Sequence, residues 1–253
     1  MGSRLLFLHR VIFPALLLGW AALTPVRAQT DPISWTVLTP EHDSRPADVR
    51  EYDEFDSKSL IRTMNAASDA FHHRLTWQKV AIKDLPSTPT PFCELRFDAV
   101  HPLILTDAEK GILRDYMMRG GFVLLYEDAY PYTQDECWSV KEWPVVDFLK
   151  KELPASSPDF KAQKITDAHP LFHQYYETQT AEMVKHELQD NPYTPNRTLL
   201  MYQDRPCAFV FGRYNLVIDG KWAAMPRPFE EVFSLESRGY ELAVNIYVYA
   251  TMH

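Results

Sequence analysis

Cysteine is scarce. Cys93, Cys137 and Cys207 are the only three in 253 residues, and they lie far apart. A disulfide scaffold is therefore excluded, since at most one bridge can form and one thiol stays free; the sequence does not say whether two of them pair. No CxxC or Cys/His spacing suggests zinc, so neither a metal nor a cofactor is expected. Basic residues are also in short supply and scattered: Lys and Arg number 26 against 34 Asp and Glu. Nucleic acid and anionic membranes both need clustered Lys and Arg, which argues against either as a partner. No internal repeat or low-complexity tract is present.

Long apolar runs are absent except near the start. Arg4 and Arg10 precede an apolar stretch over residues 11–23, and Val26-Arg27-Ala28 follows. A positive start, an apolar centre and a small-x-small ending describe a secretory signal peptide, with cleavage expected after Ala28. The apolar run is short for a membrane span, although an uncleaved anchor is the competing reading. Removal of residues 1–28 leaves 23 basic residues against 34 acidic ones, a net charge of −11. The expected product is a periplasmic or secreted domain of residues 29–253 with loop insertions, not inserted in the membrane. That length suits a single domain.

Residues 33–38 alternate as a strand should. Residues 40–56 are polar and acidic and read as a loop. Leu60, Met64, Ala67, Phe71 and Leu75 then fall at helical spacing, with Ser57 or Ser59 as cap. Further strands are expected at 78–82 and 92–97. Thr106 and Glu109 form a capping box that starts a helix, and Gly120-Gly121 ends it. Residues 122–126 are apolar throughout, the pattern of a strand covered on both faces. A helix is expected at 143–153, a hairpin or two late strands at 199–202 and 208–211, and a loop at 213–222. Residues 241–251 fit either a strand or a buried helix.

Several motifs together resemble a bacterial family, domain of unknown function 4159. They are Leu105-Thr106-Asp107-Ala108-Glu109, Leu113-Arg114-Asp115-Tyr116 with Gly120-Gly121-Phe122, and Tyr126-Glu127-Asp128. His169-Pro170-Leu171-Phe172-His173 and the closing Ala243-Val244-Asn245-Ile246-Tyr247-Val248-Tyr249-Ala250 complete the set. The resemblance implies a three-layer α/β domain with an open, mostly parallel sheet, of the class I glutamine amidotransferase-like or flavodoxin-like type. It also implies that the closing segment is a helix.

Active amidotransferases of that type need a Cys at a sharp strand-to-helix turn, with a His and a carboxylate to activate it. After residue 126 this chain offers Glu127, Asp128 and Ala129 instead. Cys137 lies beyond, in an acidic run that raises a thiol pKa. Glu127 and Asp128 are the candidate site carboxylates, for a polar ligand, a cation or hydrolysis, or simply for holding the loop. His169 and His173 are the candidate imidazoles. Four apart on a helix they would share a face, but Pro170 pushes His169 toward an extended conformation. Leu171 and Phe172 then read as core anchors, with His169 fixing the loop. His72-His73 reads as a solvated helix face. Tyr126, Tyr130, Tyr132, Tyr175 and Tyr176 add an aromatic surround.

These residues support three expectations. The first is a non-catalytic binding or assembly module of the cell envelope, whose partner is another envelope protein or a small polar ligand. The second is a hydrolase using Glu127 or Asp128 with His169 or His173 and no covalent nucleophile. The third is carbohydrate binding. Fold alone does not choose among them.

Overall fold

The structure, a computed structural model, describes residues 34–71, 74–90, 92–98, 101, 103–128, 148, 159–166, 168–178, 197–211, 215–218, 221–224 and 239–252. Its chain order is β1 (Ser34–Thr39), α1 (Ala47–Ala67), β2 (Thr76–Ala81), β3 (Cys93–Asp98), α2 (Asp107–Met118), β4 (Val123–Asp128) and β5 (Phe160–Lys164). Then come β6 (Arg197–Tyr202), β7 (Arg205–Phe211), β8 (Asn215–Ile218), β9 (Lys221–Ala224) and α3 (Gly239–Met252). Short 3₁₀ turns follow β2 at Ile82–Asp84 and precede β6 at Pro170–His173.

Seven strands form one sheet in the order β2-β1-β3-β4-β7-β6-β5. The pairs β1–β2, β1–β3, β3–β4 and β4–β7 are parallel, whereas β5–β6 and β6–β7 are antiparallel. β8 and β9 make a separate antiparallel pair. The chain is thus a mixed α/β protein with a mostly parallel sheet.

The step from β1 to β2 runs one way along the sheet and the step from β3 to β4 runs the other. Crossovers between parallel strands keep one hand, so the intervening helices fall on opposite faces. The buried side chains divide accordingly. Leu60, Ile61 and Met64 of α1 join Leu242, Ala243 and Ile246 of α3 against Trp35, Leu124 and Tyr126. Leu113, Tyr116 and Met117 of α2 cover the other face, against Leu95, Phe97, Val123 and Leu125. β4 sits at the middle of the order and is covered on both sides, which is why residues 122–126 are apolar without interruption.

The start of α2 follows the sequence closely. The Thr106 hydroxyl accepts from the Glu109 amide, and the Glu109 carboxylate accepts from the Thr106 amide at 2.9 Å. Gly120 takes φ +98°, the left-handed conformation that ends the helix. Next to it, a Cβ on Gly121 would stand 2.2 Å from the Tyr116 ring. β6 and β7 are joined by a two-residue turn in which Gln203 and Asp204 both have positive φ (47° and 61°), the conformation that suits a tight hairpin. The closing segment is helical, and α3 is buried nearly all round. That burial removes the polar face that would have identified it from periodicity alone.

Three expectations are corrected. α1 begins at Ala47 rather than Ser57: apart from Val49, what its first turns bury is charged, Asp53 and Asp56, and so adds little to an apolar pattern. It stops at Ala67, with Ser68 already extended. Phe71 and Leu75 lie beyond it: the Leu75 amide donates to the Asn65 side chain, and Asn65 Nδ2 donates back to the Leu75 carbonyl. Residues 215–218 and 221–224 form a hairpin, not a loop, around Asp219-Gly220, a favoured hairpin dipeptide. β5 had no counterpart in the sequence reading. The expected helix at 143–153, apart from buried Phe148, lies outside the described residues, as do residues 1–28, His72-His73, Tyr130, Tyr132 and Cys137. Among the described residues, no helix is long and apolar enough to cross a membrane.

Candidate functional site

The chain leaves β1 toward one edge of the sheet, returns past it to β3, and then moves toward the other edge. Loops leaving β1 and β3 must therefore part at the carboxyl ends of these strands, the usual place for a ligand in an open α/β sheet. Here they part only so far. Glu109 Oε1 accepts the Glu41 amide of the β1 loop at 2.6 Å, while Oε2 caps α2. Burial pushes the Glu109 carboxyl up, but the Thr106 and Glu41 amides outweigh it and hold it below the ordinary range.

Asp98 ends β3 and is buried. Its Oδ1 accepts the His101 amide at 3.0 Å, and Oδ2 lies 3.4 Å from His101 Nδ1. A buried carboxylate therefore orients a partly exposed imidazole at this strand end. Beneath it, β3 carries two more buried charges on the same face, Glu94 and Arg96. Arg96 Nε donates to Glu94, Nη2 donates to Ser57 Oγ at 2.9 Å, and Nη1 donates to Asp53 Oδ1 at 3.2 Å. Asp53 Oδ2 accepts from Arg45 Nη1 at 2.7 Å, and Arg45 also donates from Nε and Nη2 to Asp43. The Trp35 indole N–H donates to Glu94. The result is an ionic layer between α1 and the sheet, with charges alternating from Asp43 through Arg45, Asp53 and Arg96 to Glu94. Burial pushes Asp43 up, yet its bonds to Arg45 outweigh this and leave it lowered.

Glu127 and Asp128 are the last two residues of β4, in register with Phe97 and Asp98. Position 128 stands beside Asp98 at the same strand end.

His169 and His173 lie elsewhere. His169 precedes the 3₁₀ turn, and its Nδ1 accepts the Leu171 amide at 3.2 Å. Its ring meets Tyr249 edge-on at 5.6 Å, and Tyr249 meets Phe122 at 6.3 Å. Phe122 directly precedes β4, whereas Glu127-Asp128 closes it, about 16 Å away at 3.3 Å per residue. His169 thus lies by the start of β4, whereas residues 127 and 128 close that strand. His173 is exposed and pairs with Glu177 at 2.6 Å. Leu171 and Phe172 are buried, as their role of core anchors requires. Tyr175 and Tyr176 pack on each other at 4.9 Å near the same turn. The Tyr175 hydroxyl donates to Asp69, which pushes it up to about 12.

Asn245 explains how that turn is held. Wholly buried in α3, its Oδ1 accepts the amides of Tyr175 and Tyr176, and its Nδ2 donates to the carbonyls of Phe172 and Tyr176. The described thiols are not poised for nucleophilic work. Burial pushes Cys93 up to about 11 and Cys207 up to about 12. Among the described residues, no three His, Cys, Asp or Glu side chains are grouped to hold a metal ion.

A model of the family domain of unknown function 4159 (DUF4159) matches residues 92–251, well over half of the chain. The chain belongs to this family. The match opens just before β3 and runs through α3, so it takes in Glu94, Arg96, Asp98, Glu127, Asp128 and Asn245. β1, α1 and β2, with Arg45, Asp53 and Asp56, precede it. A search of curated proteins finds no match to the chain.

Sequence reasoning missed Asp53, Asp56, Glu94, Arg96, Asp98 and His101. One signal was available. Cys93-Glu94-Leu95-Arg96-Phe97-Asp98 places charged residues at every second position of a strand whose other positions are apolar. Opposite charges two apart on one strand face are natural partners.

Proposed function

We propose that this DUF4159 chain is an exported binding or assembly module of the cell envelope. On this reading residues 1–28 are a signal peptide. Residues 29–253 form one amidotransferase-like, flavodoxin-like domain that lacks the nucleophile. The carrying observation is the end of β4, where Glu127-Asp128 stands in place of a nucleophile. The strand order β2-β1-β3-β4-β7 supports the scaffold assignment, because it follows the flavodoxin-like order with β7 in the fifth place. The buried thiols of Cys93 and Cys207 also favour binding over covalent catalysis, since both are held far from the thiolate form. The placement of His169 by the start of β4, with residues 127 and 128 at its end, weakens the hydrolase that would have joined them. The partner on this reading is an envelope protein or a small polar ligand at the carboxyl ends of β3 and β4.

Ammonia release from glutamine tests the assignment, using wild type, Cys137→Ala, Glu127→Gln and Asp128→Asn. No turnover in any of them is the expected result. Turnover lost in Cys137→Ala would place a nucleophile on that loop and reject the module. Turnover lost only in the carboxylate variants would establish a hydrolase. Amino-terminal sequencing of the exported protein is expected to begin at Gln29, and a retained full-length chain would remove the export part.

A further inference from the structure

Tyr175 is 44 % exposed and stands outside the buried core, yet it is held from three sides. Its amide donates to Oδ1 of buried Asn245 at 2.9 Å. Its hydroxyl donates to Asp69, just past the end of α1. Its ring meets Tyr176 edge-on, with the centroids 4.9 Å apart and the planes at 80°. Tyr176 in turn meets Tyr240 of α3 at 6.1 Å, and both of these pack on the core. With the amide turned inward, what Tyr175 shows to water is side chain.

A ring fixed at both its amide and its hydroxyl end loses little freedom when a ligand settles on it. The face of such a ring is electron-rich and attracts polarised C–H groups. A carboxylate offers about four lone-pair sites, so Asp69 can accept a ligand hydroxyl beside the Tyr175 hydroxyl, in a charge-assisted bond. A flat aromatic face next to a hydroxyl acceptor matches a pyranose whose substituents are equatorial, because axial C–H groups cover its faces and hydroxyls ring its edge. An extended peptide needs main-chain partners instead. Asn245 occupies those here: Oδ1 takes the amides of Tyr175 and Tyr176, and Nδ2 donates to the Tyr176 carbonyl. The acceptor is acidic, which disfavours an anionic sugar.

We propose that Tyr175 and Asp69 form a binding site for a neutral, β-linked pyranose, a glucosyl or N-acetylglucosaminyl unit, with the sugar face on the Tyr175 ring and a sugar hydroxyl on the Asp69 carboxylate. The site uses none of the residues at the carboxyl ends of β3 and β4, so it stands or falls apart from the reading of those strand ends.

Titration of the full chain with chitotriose and with cellotriose, followed by amide NMR, tests this. The Tyr175 and Tyr176 amides are expected to shift saturably with at least one of the two sugars. Tyr175→Ala should weaken binding at least about tenfold, the scale of one lost stacking contact. Tyr175→Phe keeps the ring and gives up the bond to Asp69, so its affinity should fall between the two. No saturable shift up to the solubility of either sugar, or binding by Tyr175→Ala equal to wild type, overturns the proposal. So does Tyr175→Phe losing binding as fully as Tyr175→Ala, because the ring would then carry none of it. Saturable shifts with a proline-rich peptide and with neither sugar would make the row of rings a peptide platform, which also overturns it.

Discussion

Arg96 of β3 donates from Nη1 to Asp53 of α1 at 3.2 Å, and both side chains are buried. This contact joins β3 to the helix that precedes the family-matched region, and it sets the first prediction. Removing the guanidinium leaves Glu94, Asp53 and Asp56 facing one another in a low-dielectric layer. Arg96→Met is expected to cost about 3–5 kcal/mol, the range for breaking one side of a buried ion pair. Urea unfolding followed by circular dichroism measures it. A loss under about 1 kcal/mol would mean that the layer is open to water, where ion pairs count for little.

The same layer shows where sequence reading stops. α2 was legible to the residue because its boundaries are set locally, by Thr106, Glu109 and Gly120. β4 was legible because burial on both faces leaves a continuous apolar run. The first ten residues of α1 are not legible because their buried face, Val49 apart, is ionic. Periodicity counts apolar residues, and Asp53 and Asp56 look like solvated positions until Arg96 arrives from β3, some 40 residues later. The candidate site suffered in a similar way. Glu127 and Asp128 are candidates by their place after an apolar strand. His169 lies by the start of β4 through Tyr249 and Phe122, and nothing local in a sequence says which end of a strand a later loop will reach. Asp98 and His101 carry no motif at all.

Acid should unfold the chain through Glu109 and Asp43. Both carboxyls are lowered in the folded state, Glu109 by amides and Asp43 by Arg45, each against the opposing effect of burial. A carboxyl lowered on folding contributes stability that is complete above its unfolded value, about 4, and is lost as pH falls through the folded value. Melting temperature is therefore expected to drop below about pH 4. Glu109→Gln should start lower at neutral pH and fall less steeply in acid. An equally steep acid limb in that variant would assign the transition to other groups.

Asn245 is expected to matter more than its size suggests. Asn245→Ala leaves the amides of Tyr175 and Tyr176 without their shared acceptor, while the Phe172 carbonyl keeps the Thr178 amide and hydroxyl, at a cost of about 2–4 kcal/mol. Hydrogen exchange separates this from a general loss of stability. The Tyr175 and Tyr176 amides should exchange early in the variant while β4 amides stay protected. Equal acceleration everywhere would show that the 3₁₀ turn and the sheet unfold as one unit.

The two glycines after α2 make a paired prediction with different causes. Gly120 has φ +98° and open space where a Cβ would go, so Gly120→Ala meets backbone strain only. Its expected cost is about 1–2 kcal/mol. Gly121→Ala meets the Tyr116 ring at 2.2 Å, and that ring cannot swing away easily. Its hydroxyl donates to the Thr90 carbonyl and accepts from Cys93 at 3.2 Å, and the side chain is wholly buried. Overpacking at such a site typically costs about 1–3 kcal/mol and moves the neighbours. The decisive measurement is a double variant. Shortening Tyr116 to Leu should relieve the clash, so Gly121→Ala should cost less in Tyr116→Leu than in wild type, whereas the cost of Gly120→Ala should be the same in both backgrounds. If the two glycine substitutions respond alike, the Tyr116 contact is not what keeps position 121 a glycine, and its requirement is one of backbone alone.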